Sequence, residues 1–272
     1  MDREIIGTEA VLPSRGLAYN GNIKDGKVLV SPMTTREEKA LASSGNGSAL
    51  NIVDLLIGRC VHGMEDMKPG DLLVGDRAFL MMVIRAASFG QDYQFQMTCD
   101  LCRAQFLHTV KIPNDLEMIE LKNSFKEPFE VELPMSKIKV KLRLLRGNDE
   151  ADLTKLQKTI FKRIDSSIEG DPLYSVRMVK HIVSAEIPSK DESGESTIIE
   201  NNVENERRLV NLYESLPARD GMTLRDCLSE NDCGINTELE FNCPSCKDAF
   251  NATLPVRLEF FRPGGNRGIR YL

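Results

Sequence analysis

Hydrophobic and polar residues alternate strictly in two neighbouring stretches near the middle of the chain. Apolar side chains occupy every second position of 129–133 and of 138–144, and Pro134-Met135-Ser136 lies between them. Strict alternation is typical of a strand with one buried face, and a proline between two such strands marks a turn. These stretches therefore predict a β-hairpin. A further strand is predicted at Lys27–Val30, after the turn dipeptide Asn20-Gly21.

Other stretches combine apolar residues at helical spacing with helix-start signals. Thr35 precedes Glu38 by three residues, as in a capping box, and Asp76 is expected to be the N-cap of a helix that ends near Gly90. Asp171-Pro172 joins a cap to a proline at the first helical position. The predicted helices cover about 35–43, 48–62, 76–89, 149–168, 171–187, 202–215 and 220–229, and 189–196 is predicted as a polar loop.

Two further stretches are near-copies of each other, and each contains a C-x-x-C pair. In 95–109 and in 239–253, cysteine, phenylalanine and threonine fall at the same offsets, with alternating apolar residues around each pair. Two such pairs in hairpin turns suit one tetrahedral Zn²⁺ with four thiolate ligands. The predicted metal ligands are Cys99, Cys102, Cys243 and Cys246.

The identity of the metal is not fixed by these ligands. Zinc is the favoured metal. An iron site of the rubredoxin type would use the same four cysteines, so iron remains an alternative. Two separate C-x-x-C disulfides are the weakest alternative. A catalytic zinc, as in a hydrolase with a zinc-bound water, would need an open coordination position that four cysteines do not leave.

The matching cysteine stretches indicate an internal duplication. A shift of 144 positions maps Cys99 onto Cys243 and Asp76 onto Asp220, and a shift of 112 aligns the strand stretches. The predicted fold is α+β, with two pseudo-repeated halves (β-hairpin, helices, C-x-x-C knuckle) joined by a zinc-ribbon-like site. The predicted segments are 1–30, an N-terminal arm and strand hairpin; 31–112, the first repeat with the Cys99/Cys102 knuckle; 113–256, the second repeat with a helical insertion and the Cys243/Cys246 knuckle; and 257–272, an Arg- and Gly-rich C-terminal tail.

Composition and charge narrow the function classes. The chain has 272 residues, 41% of them hydrophobic, and a formal net charge of -6, which disfavours a nucleic-acid binder because such proteins are more often basic. There is neither an apolar run of about eighteen residues nor a signal-peptide pattern. We therefore expect the protein to be located in a reducing cytosol, where disulfides are rare. The alternative function is a cytosolic zinc-ribbon nucleic-acid-binding regulator, whose candidate basic strand carries Lys137, Lys139, Lys141 and Arg143.

The sequence gives little support for an enzyme. The three histidines, His62, His108 and His181, stand in no triad or H-E-x-x-H setting, and no phosphate-binding glycine loop occurs. His108 lies near the first cysteine pair but is expected to be a half-exposed strand residue. The remaining cysteines stand alone, and Cys60 is predicted to be a buried core thiol.

Both ends of the chain are candidates for partner contacts. The N-terminal segment 11–19 has no strand or helix period and is predicted to be an extended, docked arm. The tail, 262–272, carries three arginines and no acidic residue. It is either a solvated end or an arm that orders on a partner with carboxylates.

Several short motifs, in their order and spacing, resemble the baseplate hub and hub-assembly protein family of T-even-type contractile-tailed phages. The resemblance is dense over about 11–110 and looser beyond, where the second C-x-x-C pair and its surroundings match. The motifs are Leu12-Pro13-Ser14-Arg15-Gly16-Leu17, Met33-Thr34-Thr35-Arg36-Glu37-Glu38, Val74-Gly75-Asp76-Arg77 and Ser88-Phe89-Gly90-Gln91-Asp92-Tyr93, the last leading into Cys99-x-x-Cys102.

The resemblance implies a structural component or assembly factor of the baseplate hub region that acts by protein–protein contacts. It implies synthesis in the host cytoplasm, and either a place in the virion tail or a transient role in assembly. The implied partners are other baseplate and tail proteins, with the N-terminal arm and the C-terminal tail as contact regions. No catalytic residue, small-molecule substrate or membrane association is implied, and nucleic acid is not an expected partner.

Overall fold

The computed structural model describes residues 7–43, 49–64, 66–161, 171, 173–189, 196–256 and 258–261. Within these ranges the chain is mixed α and β, with seven helices and several small antiparallel sheets. The helices are α1 (Thr35–Ser43), α2 (Ala49–Cys60), α3 (Val74–Phe89), α4 (Gly147–Phe161), α5 (Tyr174–His181), α6 (Glu206–Ser215) and α7 (Ala218–Glu230). The strands are β1 (Thr8–Val11), β2 (Lys27–Val30), β3 (Val61–His62), β4 (Asp92–Thr98), β5 (Gln105–Lys111), β6 (Glu117–Ile119), β7 (Phe129–Glu132), β8 (Lys139–Leu142), β9 (Ile182–Ile187), β10 (Thr197–Glu200), β11 (Gly234–Asn236), β12 (Glu238–Asn242) and β13 (Ala249–Thr253).

The described residues fall into two compact units. The first unit takes its residues from Met1–Pro69, Gly75–Glu120 and Cys233–Leu272, and the second from Gly70–Val74 and Leu121–Asp232. The predicted segments divide the chain by sequence repeats and not into compact units, so their boundaries stay a prediction. The predicted C-terminal tail, 262–272, and the tip of the predicted polar loop, 190–195, lie outside the described residues.

The first unit contains a three-stranded antiparallel sheet in the order β1-β2-β3. Helix α2 runs directly into β3, and the Ser31 N–H donates to the Cys60 carbonyl at 2.8 Å, which continues the pairing of β2 with β3. Val30 and Leu56 are completely buried in this unit. A second pairing, β6 with β11, joins the two places where the chain leaves the first unit and returns to it.

A buried carboxylate holds the connection between β1 and β2. Asp76 in the first turn of α3 accepts hydrogen bonds from the Ser14 N–H, at 2.9 Å, and from the Tyr19 hydroxyl. Burial raises the pKa of Asp76, although both hydrogen bonds favour the ionised form. The prediction that Asp76 caps α3 is therefore wrong, because α3 begins two residues earlier and the carboxylate serves the 12–19 segment instead.

The predicted extended arm at 11–19 is a series of tight turns. The N–H groups of Arg15, Leu17 and Tyr19 each donate to the carbonyl three residues earlier. Gly16 has a φ of +77°, and a Cβ there would lie 2.2 Å from the Ile23 carbonyl oxygen, so a larger residue would not fit. The segment is part of the packed body of the first unit.

The second unit is built on a four-stranded antiparallel sheet in the order β10-β9-β8-β7. The predicted hairpin is confirmed, with Val131 opposite Val140. The predicted helix at 171–187 is wrong in its second half, because Ile182–Ile187 pairs with β8 and β10 as a central strand. Its buried side chains join a core that includes Leu142, Val179 and Leu209.

The turn between β7 and β8 is also held by a buried aspartate. Asp220 in the first turn of α7 accepts hydrogen bonds from the N–H groups of Met135 and Ser136, both at 2.9 Å. Burial opposes ionisation of Asp220, but these hydrogen bonds outweigh it and lower its pKa. Lys137, at the end of the turn, has a φ of +60°. One carboxylate thus fixes a strained turn and ties it to a helix.

In the part of the chain that the structure describes, no helix combines the length and the apolar character needed to span a bilayer.

Replacing Asp220 by alanine should destabilise the second unit by about 1–3 kcal/mol, because two backbone N–H groups lose their acceptor. Urea unfolding followed by circular dichroism measures the loss. Asp226 is exposed on the same helix. Asp226→Ala is the matched control and should change the free energy of unfolding by less than about 0.5 kcal/mol. Equal unfolding curves for the two variants would contradict the role of Asp220.

Candidate metal centre

Each C-x-x-C pair lies in the turn of an antiparallel hairpin. The first is the turn between β4 and β5, and the second is the turn between β12 and β13. In the first turn the Cys99 N–H donates to the Ala104 carbonyl at 2.9 Å, and the Arg103 N–H donates to the Cys99 carbonyl at 3.0 Å. Arg103 adopts a φ of +59° to close the turn.

The second turn repeats this geometry. The Cys243 N–H donates to the Asp248 carbonyl and the Lys247 N–H donates to the Cys243 carbonyl, both at 2.9 Å. Lys247 has a φ of +68°. Arg103 and Lys247 occupy equivalent positions of the two turns, and both adopt the left-handed backbone conformation that is unfavourable for residues with side chains. The surroundings therefore hold each turn in one geometry.

The four cysteine sulfurs come together from these two turns. All four lie within 4.8 Å of one another, with Cys99 and Cys246 Sγ 3.8 Å apart and Cys102 and Cys243 Sγ 3.6 Å apart. Metal–sulfur bonds of about 2.3 Å in a tetrahedron place sulfurs roughly 3.8 Å apart, whereas a disulfide needs about 2.05 Å. None of the seven cysteines forms a disulfide. The cluster has the dimensions of a four-thiolate metal site and could hold a metal ion.

The hydrogen bonds of the second turn favour a thiolate at Cys243. Backbone N–H groups of Cys246 and Ser245 and the neighbouring thiols outweigh burial and lower the pKa of Cys243 to about 6. At Cys246 the Asp248 N–H favours the thiolate, but burial and the Cys243 sulfur raise the pKa to about 12. Thiolates are the metal-binding form of cysteine, and a bound cation would favour deprotonation of all four thiols.

Aromatic side chains support the two hairpins beneath the cysteines. The ring of Phe241 is 1% exposed and contacts Phe95, His108 and Phe250 at centroid distances of 6.1, 4.9 and 6.0 Å. His108 is half-buried, packs its ring edge-on against Phe241, and does not belong to the sulfur cluster. These rings connect the β4–β5 hairpin to the β12–β13 hairpin, so the sulfurs are positioned by a small apolar core.

The other histidines lie in ordinary structural settings. His62 Nε2 is 3.1 Å from the Ser31 hydroxyl, and His181 Nδ1 is 2.9 Å from the Arg143 carbonyl oxygen. Burial lowers the pKa of His181. Among the described residues, the four cysteines are the one group of three or more His, Cys, Asp or Glu side chains close enough to share a metal ion.

The buried thiol predicted at Cys60 is confirmed, and burial raises its pKa to about 11.

The basic strand considered for nucleic-acid binding faces acidic residues. Lys139 lies opposite Glu132 and Lys141 opposite Glu130 in the β7–β8 pairing. Arg143 forms two hydrogen bonds of 2.7 Å with the Asp149 carboxylate. The positive charges of this strand are therefore balanced locally, and the strand presents no isolated basic surface.

Replacing Phe241 by alanine should cost about 3–5 kcal/mol, because the ring is buried between both hairpins. Thermal unfolding of the purified protein measures the change. Phe250, its cross-strand partner, is half-buried, so Phe250→Ala should cost clearly less. A larger loss for Phe250→Ala than for Phe241→Ala would contradict the central position of Phe241.

Comparison with known proteins agrees with the motifs near the N-terminus. The family model described as T4 bacteriophage base plate protein matches residues 15–262, a range that includes both C-x-x-C pairs. No curated protein and no solved structure gives a significant match. Because the matched range covers most of the chain, the protein belongs to the T4 bacteriophage base plate protein family.

Proposed function

We propose that the chain is a structural component or an assembly factor of the hub region of a contractile-tail baseplate, and that it acts through contacts with other tail proteins. Family membership, which supports a structural role in the baseplate, carries this proposal. The hub assignment is supported by the motifs at 12–17, 33–38 and 74–77. In this proposal the protein is made in the host cytoplasm, works without enzymatic activity, and uses its N-terminal region and its C-terminal tail for partner contacts.

We propose that the four cysteines bind one Zn²⁺ as a structural ion. The sulfur–sulfur distances, the thiolate-favouring turn at Cys243 and the four protein ligands support a closed site without a position for a reacting water. Iron would have the same ligands, and metal analysis separates the two. The zinc would join residues 141 to 147 positions apart and so restrict the unfolded chain strongly.

We also propose that the chain contains two pseudo-repeated halves, with 31–112 as the first repeat and 113–256 as the second. With the hairpin of 1–30 counted with the first repeat, the two aspartate-held turns support this proposal, since Asp76 and Asp220 each lie at the third residue of a helix and accept hydrogen bonds from the turn of a hairpin. In both cases a leucine and a proline precede the turn, and a residue with positive φ follows, Arg15 in one and Lys137 in the other.

The connections after the hairpins support the same proposal. In each half a helix runs directly into a strand that pairs with the second hairpin strand: α2 into β3 beside β2, and α5 into β9 beside β8. Each half then continues through a helix, α3 or α7, and a glycine with positive φ, Gly90 or Gly234, to its C-x-x-C turn. Strand β10 and helix α6 would be additions to the second half.

The purified protein should contain one equivalent of zinc by elemental analysis. Cys99→Ser and Cys243→Ser should each abolish stoichiometric binding and lower the unfolding midpoint, because three ligands remain. Cys227→Ser, at a half-buried cysteine outside the cluster, is the matched control. Iron in place of zinc would correct the metal, and an unfolding midpoint that chelators leave unchanged would refute a structural role.

The baseplate role is tested in infected cells. A phage whose gene for this chain carries an early stop codon should produce tails with defective or missing baseplates in electron micrographs, and supply of the protein in trans should restore them. Mass spectrometry of purified particles separates a virion component, which stays in the particle, from an assembly factor, which leaves. Normal baseplates in the absence of the protein would contradict both roles.

A further inference from the structure

Strand β1 forms an edge of the first unit's sheet. In the order β1-β2-β3 it pairs with β2 alone among the described strands. The Leu12 N–H donates to the Gly26 carbonyl, and this pair continues the register in which Ala10 lies opposite Val28. Hydrogen-bonded and non-hydrogen-bonded pairs alternate in antiparallel sheets, so Glu9 and Val11 direct their N–H and C=O groups away from β2. These groups can bind a further strand.

An apolar groove of about 500 Å³ lies along this edge. One wall is β1, and another is a stripe of α3 that presents Phe79, Val83 and Ala86 at helical spacing. Met118 of β6 and Ile235 of β11 also line it. Val11 is 41% exposed and Met118 is 42% exposed, so apolar side chains are accessible beside backbone groups of β1 that no described strand pairs with.

The corresponding edge of the second unit has a different character. Strand β7 is the outer strand of its sheet, and the Leu133 N–H donates to the Ile138 carbonyl as Leu12 does to Gly26. The same alternation therefore directs the backbone groups of Glu130 and Glu132 outwards. Charged residues at an edge oppose the addition of another strand. Glu9 of β1 matches Glu130, but position 132 is glutamate where the β1 edge has Val11, so β1 carries one of these two charges and is the less protected of the two edges.

We propose that an extended segment of another baseplate protein adds to β1 as an antiparallel or parallel strand and fills the groove. Its backbone would pair with Glu9 and Val11, and its alternate side chains would be apolar and contact Phe79, Val83 and Met118. Glu9 is the one charged side chain among the lining residues, so the segment carries a basic residue beside it. This inference rests on the proposed function, since it names how one partner is bound.

Three full-length proteins test the backbone part of the proposal: wild type, Val11→Pro and Glu132→Pro. Proline at 11 removes an N–H that the β1–β2 pairing does not use, so the fold should remain while strand addition is weakened. Glu132→Pro makes the same change at the matching position of β7 and is the control. The probes are the other baseplate proteins of the same phage, each purified and added singly in a titration.

The groove is tested by Ala86→Arg, which places a long charged side chain between α3 and β1. Val203→Arg, at a side chain that is 93% exposed in the second unit, is the matched control. For the one partner that binds β1, Val11→Pro and Ala86→Arg should each weaken binding by about tenfold or more, while both controls bind as wild type does. Hydrogen exchange should show new protection of the Glu9 and Val11 amides in the complex.

Other outcomes overturn the proposal in distinguishable ways. If a baseplate protein binds, but the Glu9 and Val11 amides exchange as in the free protein and the variants bind normally, the β1 edge is not the docking site and the proposed function stands. If these amides are already protected in the isolated protein, β1 is covered by this chain itself, or by a second copy when protection rises with concentration. If no baseplate protein binds the wild type, the proposed function fails together with this inference.

Discussion

The four cysteine sulfurs have to meet although the chain makes a long excursion between the two pairs. The first pair follows α3, and the second follows the return of the chain to the first unit at β11. Most of the second unit is built from the residues between these points. The meeting of the sulfurs therefore requires that both hairpins be completed and aligned, and the buried ring of Phe241 between them supplies the apolar contact for that alignment. A bound metal ion would coordinate thiolates from both turns and so connect the two hairpins directly.

A second constraint acts on the hairpin turns. Asp76 and Asp220 are both fully buried, and each accepts hydrogen bonds from a turn that is distant in sequence, Asp76 from one N–H and a tyrosine hydroxyl and Asp220 from two N–H groups. A buried carboxylate is costly unless it is hydrogen-bonded, so each turn and the helix that carries its aspartate stabilise each other. In the first unit Gly75 adds a close backbone contact, since a Cβ there would lie 1.8 Å from the Cys233 carbonyl oxygen. Rigid turns and edges of this kind suit a protein whose role is to bind neighbours in a large assembly.

Local patterns in the sequence predicted the hairpins and, through the paired cysteines, one long-range contact. The alternation at 129–144 predicted β7 and β8, and the two C-x-x-C repeats predicted the turns and the grouping of Cys99, Cys102, Cys243 and Cys246. The strand at Ile182–Ile187 was missed because its pairing partners lie far away and a helix directly precedes it. Asp76 was predicted to be a helix N-cap, although it accepts hydrogen bonds from a distant turn. An aspartate near the start of a helix is compatible with both roles in the sequence. The part played by Phe241 also depended on tertiary contacts, although its place in the repeated stretch was visible.

The β6–β11 pairing has a consequence for the way such a chain can change over time. Ile119 and Gly234 are paired residues, so the chain departs for the second unit and comes back at points about 5 Å apart. A segment whose ends are neighbours can lengthen, shorten or acquire new elements without moving the sheet that carries it. The short stretch Gly70–Val74 also belongs to the second unit and is a further tie. Away from that tie, the second unit is the part of the molecule in which new surface can be built while the cysteine cluster and the β1 edge keep their geometry.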